Sequence, residues 1–231
     1  MAAEVRVLSY NVRSLRDDKH AVATVIKACA PDVVCVQEAP RFFRWRTKCA
    51  ELASESGLFV VTGGRDAAAM LLLASLRVRV LSTRDVLLSK KRGLHQRGIA
   101  LAGLQVGDAR FVVGSVHLDL DAGERRRHVD EILSRVKEFG GPAVIAGDIN
   151  EPPTGSAWQA LAAAHRDAYA VSPTGGEHTY SATHPVRRID GVFVDQRIEV
   201  VECGVPDAPG IERASDHRPV LAVLRVPADA A

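Results

Sequence analysis

Hydrophobic and polar positions along the first quarter of the chain predict a strand, a helix and a second strand. Val5 and Val7 alternate with polar residues, which predicts a strand that ends in a loop at Asn11. Apolar residues at helical spacing then predict a helix over residues 20–30, and the proline that follows ends it. Residues 32–36 form a short, continuously apolar run, which is typical of a strand buried on both faces.

The rest of the pattern is dominated by strands. A segment rich in arginine and aromatic residues, 41–48, precedes a predicted helix that runs through Leu52. An apolar stripe of Val129, Ile132, Leu133 and Val136 predicts a helix over residues 121–139. The other predicted elements are strands at 67–73, 77–88, 98–106, 110–117, 143–146, 189–194, 198–205 and 220–226, and a helix near 156–164.

This order of elements predicts an α/β (α+β) fold with two packed, mostly antiparallel sheets flanked by helices. A purely parallel sheet would need a helix between most strands, and residues 67–117 contain none. At 231 residues the chain can form one sizeable core, whereas two domains would be cramped. We therefore expect a single domain over residues 1–231.

Composition and charge narrow the picture only slightly. The apolar fraction of 47% and the charged fraction of 25% are those of an ordinary globular protein, and the net charge of +2 gives no steering toward nucleic acid or anionic membranes. The four cysteines show no metal-binding spacing, and the longest apolar stretch, 67–75, is far short of the ~20 residues that span a bilayer. We expect no secretory signal, because the first residues run directly into the first predicted strand. We expect a cytoplasmic protein without stable membrane insertion.

Candidate chemistry is concentrated where apolar strands end. Carboxylates there are hard oxygen ligands suited to Mg²⁺ or Mn²⁺, histidines offer acid–base groups near neutral pH, and asparagines can orient water or phosphate. Together they predict metal-assisted attack of water on a phosphoester. These strand-end residues are Asn11, Glu38, His117, Asp148, Asn150, Asp190, Asp216 and His217.

The same residues belong to short motifs that follow one another in a known order. The motifs are Asn11, Gln37-Glu38, Ser115-Val116-His117-Leu118, Gly147-Asp148-Ile149-Asn150, Arg188-Ile189-Asp190 and Ser215-Asp216-His217-Arg218-Pro219. Each motif alone is weak, but the ordered set resembles the endonuclease/exonuclease/phosphatase superfamily from residue 5 to about 225. That superfamily holds deoxyribonuclease I, exonuclease III-type apurinic endonucleases, sphingomyelinases and inositol polyphosphate 5-phosphatases.

The resemblance implies a four-layer α/β sandwich whose active site lies at one edge of two central sheets. It implies that Glu38 is the principal ligand of Mg²⁺, with Mn²⁺ as a substitute. Asn11 would lie beside this ligand and hold phosphate or water. Asp216 fits a second metal ligand or a contact through water.

The resemblance also implies roles for the acid–base groups. Asp148 would align or deprotonate the attacking water, and Asn150 would bind the phosphate. Asp190 would orient His217, which serves as base or phosphate donor, and the choice between Asp148 and His217 as base stays open. The histidine at His117 resembles the acid for the leaving oxygen in deoxyribonuclease- and sphingomyelinase-like members, whereas exonuclease III-type enzymes carry tyrosine there.

Each site residue also has a structural interpretation. Glu38 could cap the next helix, because acidic residues favour helix N-termini. Asp148 and Asn150 could form an Asx turn. Asp190 could pair with the arginine at 187 or 188. These explanations weaken jointly, because all the coincidences in family order would have to be accidental.

The substrate is the least determined part of the prediction. Arg44 and Arg46 are interleaved with aromatic residues and could grip phosphates beside stacked bases, although a solvated helix face explains them equally well. Arg97 begins a strand near the expected phosphate, and Tyr180 is expected close to the site. We favour an endo- or exonuclease acting on a phosphodiester substrate, with a small-molecule or phospholipid-headgroup phosphodiesterase as the alternative. A non-catalytic binding protein on the same fold is the alternative of another class, and no protein partner can be inferred.

Overall fold

A computed structural model describes residues 1–228 and contains twelve strands and six α-helices in that range. The strands are β1 (Ala3–Asn11), β2 (Val33–Gln37), β3 (Phe59–Gly64), β4 (Met70–Ala74), β5 (Arg79–Leu87), β6 (Gly98–Val106), β7 (Ala109–His117), β8 (Ala143–Asp148), β9 (Arg166–Asp167), β10 (Asp190–Val194), β11 (Glu199–Gly204) and β12 (Val220–Val226). The helices are α1 (Lys19–Cys29), α2 (Trp45–Glu55), α3 (Ala122–Phe139), α4 (Ser156–Ala164), α5 (Ala168–Val171) and α6 (Ile211–Ala214). Across residues 1–228, none of these helices has the length and apolarity to cross a membrane.

The strands form two six-stranded sheets of mixed direction. The first has the order β11-β12-β1-β2-β4-β3 and the second the order β5-β6-β7-β8-β10-β9. The pairs β1–β2 and β7–β8 are parallel and the other pairs are antiparallel. Each parallel pair is joined through a helix, α1 or α3, as a parallel connection requires.

Three apolar clusters divide the molecule into four layers. The central cluster packs inward-facing residues of the first sheet, such as Val33 and Cys35, against those of the second, such as Ala102 and Val113. A second cluster buries α1, α2 and α6 on the outer face of the first sheet. A third buries α3 and α4 on the outer face of the second sheet. The predicted α/β sandwich is confirmed.

The predicted strands differ from the structure in detail. The edge strand β3 was missed, because its half-exposed sequence ends in Thr62-Gly63-Gly64 and lacks a clear alternation. The strand expected at 67–73 begins only at Met70, because a 3₁₀ turn occupies 65–67 and Ala68 and Ala69 adopt left-handed backbone angles, with φ of 53° and 76°.

Strand register brings the predicted chemistry to one edge of both sheets. In the first sheet, Asn11 lies opposite Gln37, so the residue that follows, Glu38, leaves β2 beside the end of β1. In the second sheet, Asp148 lies opposite His117 on one side and opposite Asp190 on the other. The carboxyl ends of the two parallel pairs therefore meet at a single place.

Candidate active site

A cavity of about 460 Å³ opens at this edge and is lined by residues of both sheets. The first sheet contributes Glu38, and the second contributes His117 and Asp148. The loop between α6 and β12 adds Asp216 and His217 to the same wall. Asn150, from the loop after β8, also lines the cavity.

Asp148 is the centre of the polar network. Its Oδ2 atom accepts a hydrogen bond from Nδ2 of Asn11 at 3.0 Å and lies 3.3 Å from Nε2 of His117 and 3.7 Å from Nε2 of His217. Its other oxygen, Oδ1, accepts a bond from the backbone N–H of Asn150 at 2.9 Å. The Asx turn considered from the sequence is therefore present, and it fixes the carboxylate so that Oδ2 faces the three side chains.

His217 is held between two buried carboxylates. Its Nδ1 atom lies 2.9 Å from Oδ2 of Asp190, and its Nε2 atom faces Asp148. Burial alone would lower the pKa of this histidine, but the charges of Asp190 and Asp148 and the hydrogen bond to Asp190 raise it to about 10. The side chain is therefore an imidazolium at neutral pH. Asp190 pairs with this ring and not with the arginine at 187 or 188.

His117 has the opposite electrostatic character. Burial lowers its pKa to about 3, although the carboxylate of Asp148 opposes this effect. Nδ2 of Asn150 lies 2.9 Å from Nε2 of His117 and also donates to the carbonyl oxygen of Leu118. His117 is consequently neutral at pH 7, with Nε2 facing both Nδ2 of Asn150 and Oδ2 of Asp148. Asn150 itself has a φ of 58°, which an asparagine tolerates better than most residues.

Glu38 lines the same cavity and lies beside Asn11. Its Oε1 atom is 3.4 Å from Nδ2 of Asn11, and its backbone has a φ of 51°, an uncommon conformation for glutamate. The residue preceding α2 is Arg44, so Glu38 does not cap that helix. A half-buried carboxylate that faces the cavity is an oxygen ligand that fits Mg²⁺ or Mn²⁺. The amide of Asn11 turns Nδ2 toward this carboxylate, and its Oδ1 atom accepts a hydrogen bond from the backbone N–H of Arg13.

Two other groups bear on metal binding. Asp216 reaches the cavity, but its Oδ2 atom also lies 3.4 Å from Nε of Arg13. Separately, Asp148, Asp190 and His217 each offer a ligand atom within 4.8 Å of one another, so this buried cluster could also hold an ion. The hydrogen bond between Asp190 and His217 already accounts for two of these groups.

Arg97 and Tyr180 lie at the site, as expected. Arg97 is only 11% exposed in its side chain, lines the cavity and has Nε 3.6 Å from Oδ2 of the buried Asp119. The ring of Tyr180 lies 5.0 Å from that of His217. The guanidinium carbon of Arg187 lies 4.7 Å from the centre of the Tyr180 ring, and Arg187 also lines the cavity.

The two remaining arginines predicted to bind substrate are outside this cavity. Arg44 lines a neighbouring groove and is exposed. Arg46 packs 4.2 Å from the Trp45 ring centre and lies 3.8 Å from a carboxylate oxygen of Asp66, so its charge has a local partner.

Sequence reasoning missed several residues of the cavity. Arg41 and Phe42 were treated only as part of a basic, aromatic segment, and Arg187, which lines the cavity, had no assigned role at the site. Asp119, which is buried and contacts the cavity residue Arg97, had none either. Thr179, which is fully buried, accepts hydrogen bonds from the backbone N–H groups of Ile189 and Asp190. A polar residue directly after a strand-end histidine motif was the available signal for Asp119.

Comparison with known proteins shows the family of the chain. The sequence model of the Endonuclease/Exonuclease/phosphatase family matches residues 8–217. The chain therefore belongs to the endonuclease/exonuclease/phosphatase family, whose members hydrolyse phosphoesters. A search of curated protein sequences gives no match.

Several solved structures share the fold at low sequence identity. An endonuclease/exonuclease/phosphatase from Bacteroides vulgatus has a TM-score of 0.84 at 22% identity, with 97% of this chain and 100% of that chain covered. Mannosyl-6-phosphatase from Bacteroides thetaiotaomicron has a TM-score of 0.82 at 18% identity, covering 95% and 99%. D. rerio TDP2, complexed with a single-strand DNA product, has a TM-score of 0.77 at 16% identity, covering 96% and 99%.

Proposed function

We propose that this protein is a divalent-metal-dependent phosphodiester hydrolase and that its substrate is a nucleic acid strand. One observation carries the proposal: the Oδ2 atom of Asp148 faces Asn11, His117 and His217 at the base of a cavity that Glu38 also lines. This arrangement provides a base for water, a cationic hydrogen-bond donor and an oxygen ligand within one cavity. Phosphoester hydrolysis needs these three elements together.

The proton transfers follow from the charges of the site. Asp148 aligns the water and accepts its proton as the oxygen attacks phosphorus from the side opposite the leaving oxygen. The imidazolium of His217 then donates the proton from Nε2 to the leaving oxygen as the phosphorus–oxygen bond breaks. Because Nε2 of His217 is 3.7 Å from Asp148, the proton on Asp148 can return to His217 and restore the starting state.

His117 has a supporting role in this scheme. The neutral ring carries no extra proton at pH 7, which favours His217 over His117 as the acid. His117 instead fixes the amide of Asn150, whose Nδ2 atom faces Nε2 of His117 and the carbonyl oxygen of Leu118. To bind a phosphate oxygen, the amide would exchange one of these two contacts for it. Asn11 holds Asp148 in place through its Nδ2 atom.

Glu38 is the residue that we assign to the metal, with Asn11 and Asp216 beside it. When bound, Mg²⁺ supplies Lewis-acid stabilisation of the charge that develops on the phosphate oxygens. Mn²⁺ fits the same oxygen donors. Arg97 and Arg187 bring two further positive charges to the cavity wall, and both suit the remaining phosphate oxygens.

The test is hydrolysis of bis-p-nitrophenyl phosphate, single-stranded DNA and RNA, and plasmid DNA with Mg²⁺, Mn²⁺ or EDTA. We expect EDTA to abolish cleavage and His217→Ala to lower turnover by about 10²-fold or more. The exposed His20, paired with Glu55 away from the cavity, gives the control His20→Ala. Full activity of a folded His217→Ala protein would disprove the assignment.

A small-molecule or phospholipid-headgroup phosphoesterase is the second candidate. It is favoured by the structural likeness to a mannosyl-6-phosphatase and by a cavity of about 460 Å³, which accommodates a single sugar phosphate. Mannose 6-phosphate, p-nitrophenyl phosphate and sphingomyelin distinguish this candidate. If the protein hydrolyses any of these three compounds faster than bis-p-nitrophenyl phosphate and the polynucleotides, the proposal of a nucleic acid substrate is wrong and the second candidate takes its place.

The third candidate is a non-catalytic binding protein on the same fold. Such a protein need not retain Glu38, Asp148 and His217 together, and this chain retains all three in one cavity. Calorimetric titration with Mg²⁺ separates the cases. Absence of metal binding together with silence on every substrate would establish the binding protein.

A further inference from the structure

A second concave surface adjoins the catalytic cavity. It encloses about 590 Å³ and shares Arg41, Phe42, Ala68 and Gln96 with the catalytic cavity, so the two form a continuous surface. Its remaining walls are made by Phe43, Arg44, Trp45, Arg65 and Leu87. We call this surface the aromatic groove.

The aromatic groove leaves two phenyl rings open to solvent. Phe42 is 74% exposed and Phe43 is 82% exposed, although burying a side chain of this kind contributes about 1.5–3 kcal/mol. Both rings lie on a concave wall next to the catalytic cavity and not on a remote surface. A flat, unsaturated ring of a ligand would cover them.

The cations of the groove are free to meet an anion. Arg44 and Arg65 have no carboxylate partner within residues 1–228, and Arg41 has only the ring of Phe42, 5.2 Å away. Arg46, directly after the groove residue Trp45, is by contrast paired with Asp66. The groove therefore combines unpaired positive charge with exposed aromatic surface.

Local backbone geometry shapes the back of the groove. Gly64, at the end of β3, has a φ of +83°, and a Cβ atom there would lie 2.3 Å from the Trp45 ring. The glycine thus allows Trp45 to pack directly against the strand. The indole is fixed at the groove wall, where it can report on an occupant.

We propose that the aromatic groove binds the nucleotide next to the scissile phosphodiester of a single-stranded nucleic acid. The base would stack on Phe42 or Phe43, and its phosphate would meet Arg44 and Arg65. This inference rests on the proposed hydrolase function, because it places the scissile phosphate in the catalytic cavity. Phe42 lines both concavities, so it would contact the substrate where the scissile phosphate and the neighbouring nucleotide meet.

A single strand fits the groove better than a duplex. Stacking on a protein ring requires a base whose face is not already covered by neighbouring base pairs, and it is tolerant of sequence. The concave shape also has room for one segment of a single strand, whereas a duplex would need a broader surface to bind. An anionic lipid surface is the competing occupant of exposed phenylalanine and arginine side chains, and binding to vesicles distinguishes it from a nucleotide.

Binding can be measured without catalysis. Trp45 lines the groove and Trp158 is buried, so quenching of tryptophan fluorescence by tetrathymidylate in EDTA reports on groove occupancy. We expect saturable quenching that disappears in Trp45→Phe. In Phe43→Ala the dissociation constant read from the quenching should rise about tenfold. Arg44→Gln combined with Arg65→Gln should weaken binding more at low salt than at high salt.

The kinetic test compares two diesters with the same leaving group. Thymidine p-nitrophenyl phosphate, esterified at the 5′ or the 3′ oxygen, carries a base, and methyl p-nitrophenyl phosphate does not. We expect the better thymidine ester to have a KM about tenfold below that of the methyl ester, and we expect Phe42→Ala and Phe43→Ala to bring the ratio of the two KM values toward one. Leu76→Ala and Arg79→Gln, on exposed positions away from the groove, should keep the ratio.

The outcomes separate the two proposals. Hydrolysis of both esters with equal KM values and no quenching by tetrathymidylate would overturn the groove assignment and leave the hydrolase intact. Quenching without hydrolysis of any diester would overturn the hydrolase and keep nucleotide binding in the groove. Sedimentation with phosphatidylserine vesicles that depends on Phe42 and Phe43, without any quenching by tetrathymidylate, would assign the groove to a lipid surface and overturn the inference.

Discussion

The Nδ1 atom of His217 lies 2.9 Å from Oδ2 of Asp190, and Asp148 faces the other ring nitrogen. The histidine is thereby fixed in one orientation and kept charged by the pair of carboxylates. Asp190 is fixed in turn, because the hydroxyl of Thr179 accepts hydrogen bonds from the backbone N–H groups of Ile189 and Asp190. Asp190 is a positioning residue that acts through His217.

Asp190→Asn should therefore lower kcat by about 10²-fold or more, because the amide cannot stabilise the imidazolium. The basic limb of the pH profile of kcat/KM should move to lower pH, since His217 would lose its proton more easily. A purely structural role would leave this limb in place. Asp195→Asn, which changes a surface pair with Arg197, is the matched control.

Glu38→Ala should raise the Mg²⁺ concentration needed for half-maximal activity by at least about tenfold, because the cavity loses its principal oxygen ligand. Calorimetry should show the same loss of Mg²⁺ affinity without substrate. Glu51→Ala, on the exposed face of α2, should behave as the wild type. If Asp148→Asn and not Glu38→Ala abolishes Mg²⁺ binding, the ion belongs to the buried Asp148, Asp190 and His217 cluster.

His117 should make stability depend on pH below neutrality. The unfolded chain binds a proton at this histidine near its ordinary pKa of 6.5, whereas burial delays protonation in the folded protein to about pH 3. The contribution of His117 to the free energy of unfolding should be greatest above pH 6.5 and fall toward pH 3, with a slope of at most about 1.4 kcal/mol per pH unit. Urea unfolding between pH 7 and 5 should show a smaller slope for His117→Gln, with the exposed His184→Gln as control.

Arg188 and Asp167 should matter for stability and not for chemistry. The guanidinium packs between the rings of Trp158 and Tyr169, at 4.8 and 4.9 Å, and Nη1 lies 2.8 Å from Oδ2 of Asp167. Arg188→Ala leaves this buried carboxylate unpaired and should lower the free energy of unfolding by about 3–5 kcal/mol. Denaturant unfolding measures the change, and breaking the exposed pair with Arg225→Ala should cost at most about 1 kcal/mol. Equal losses for the two variants would contradict the assignment.

The sandwich and the set of strand-end residues could be predicted from the sequence because strong periodic patterns precede them. β1, β7 and β8 end in polar residues after buried runs, and the family order of motifs joins them into one site. The order of strands within each sheet depends on long-range pairing that periodicity does not encode. A cytoplasmic location and a single domain stay predictions from the sequence.

The charge states of the histidines and the ion-pair partners of the arginines could not be predicted from the sequence, for a different reason. His117 and His217 look alike in the chain, and only the carboxylates around one ring and the apolar burial of the other separate their pKa values. Likewise, Arg44 and Arg46 are equivalent by spacing, but Asp66 neutralises only Arg46. Such differences arise from residues that are distant along the chain.

The site is divided between the two sheets: Asn11 and Glu38 follow strands of one, whereas His117, Asp148 and Asp190 belong to the other. The rate of catalysis consequently depends on how the two sheets are positioned relative to each other. Hydrostatic pressure or mild denaturant that slides one sheet over the other would silence turnover while each sheet keeps its own hydrogen bonds. Activity would then be lost before the circular-dichroism signal of the strands and helices. The rate of turnover would therefore report on the packing between the two sheets.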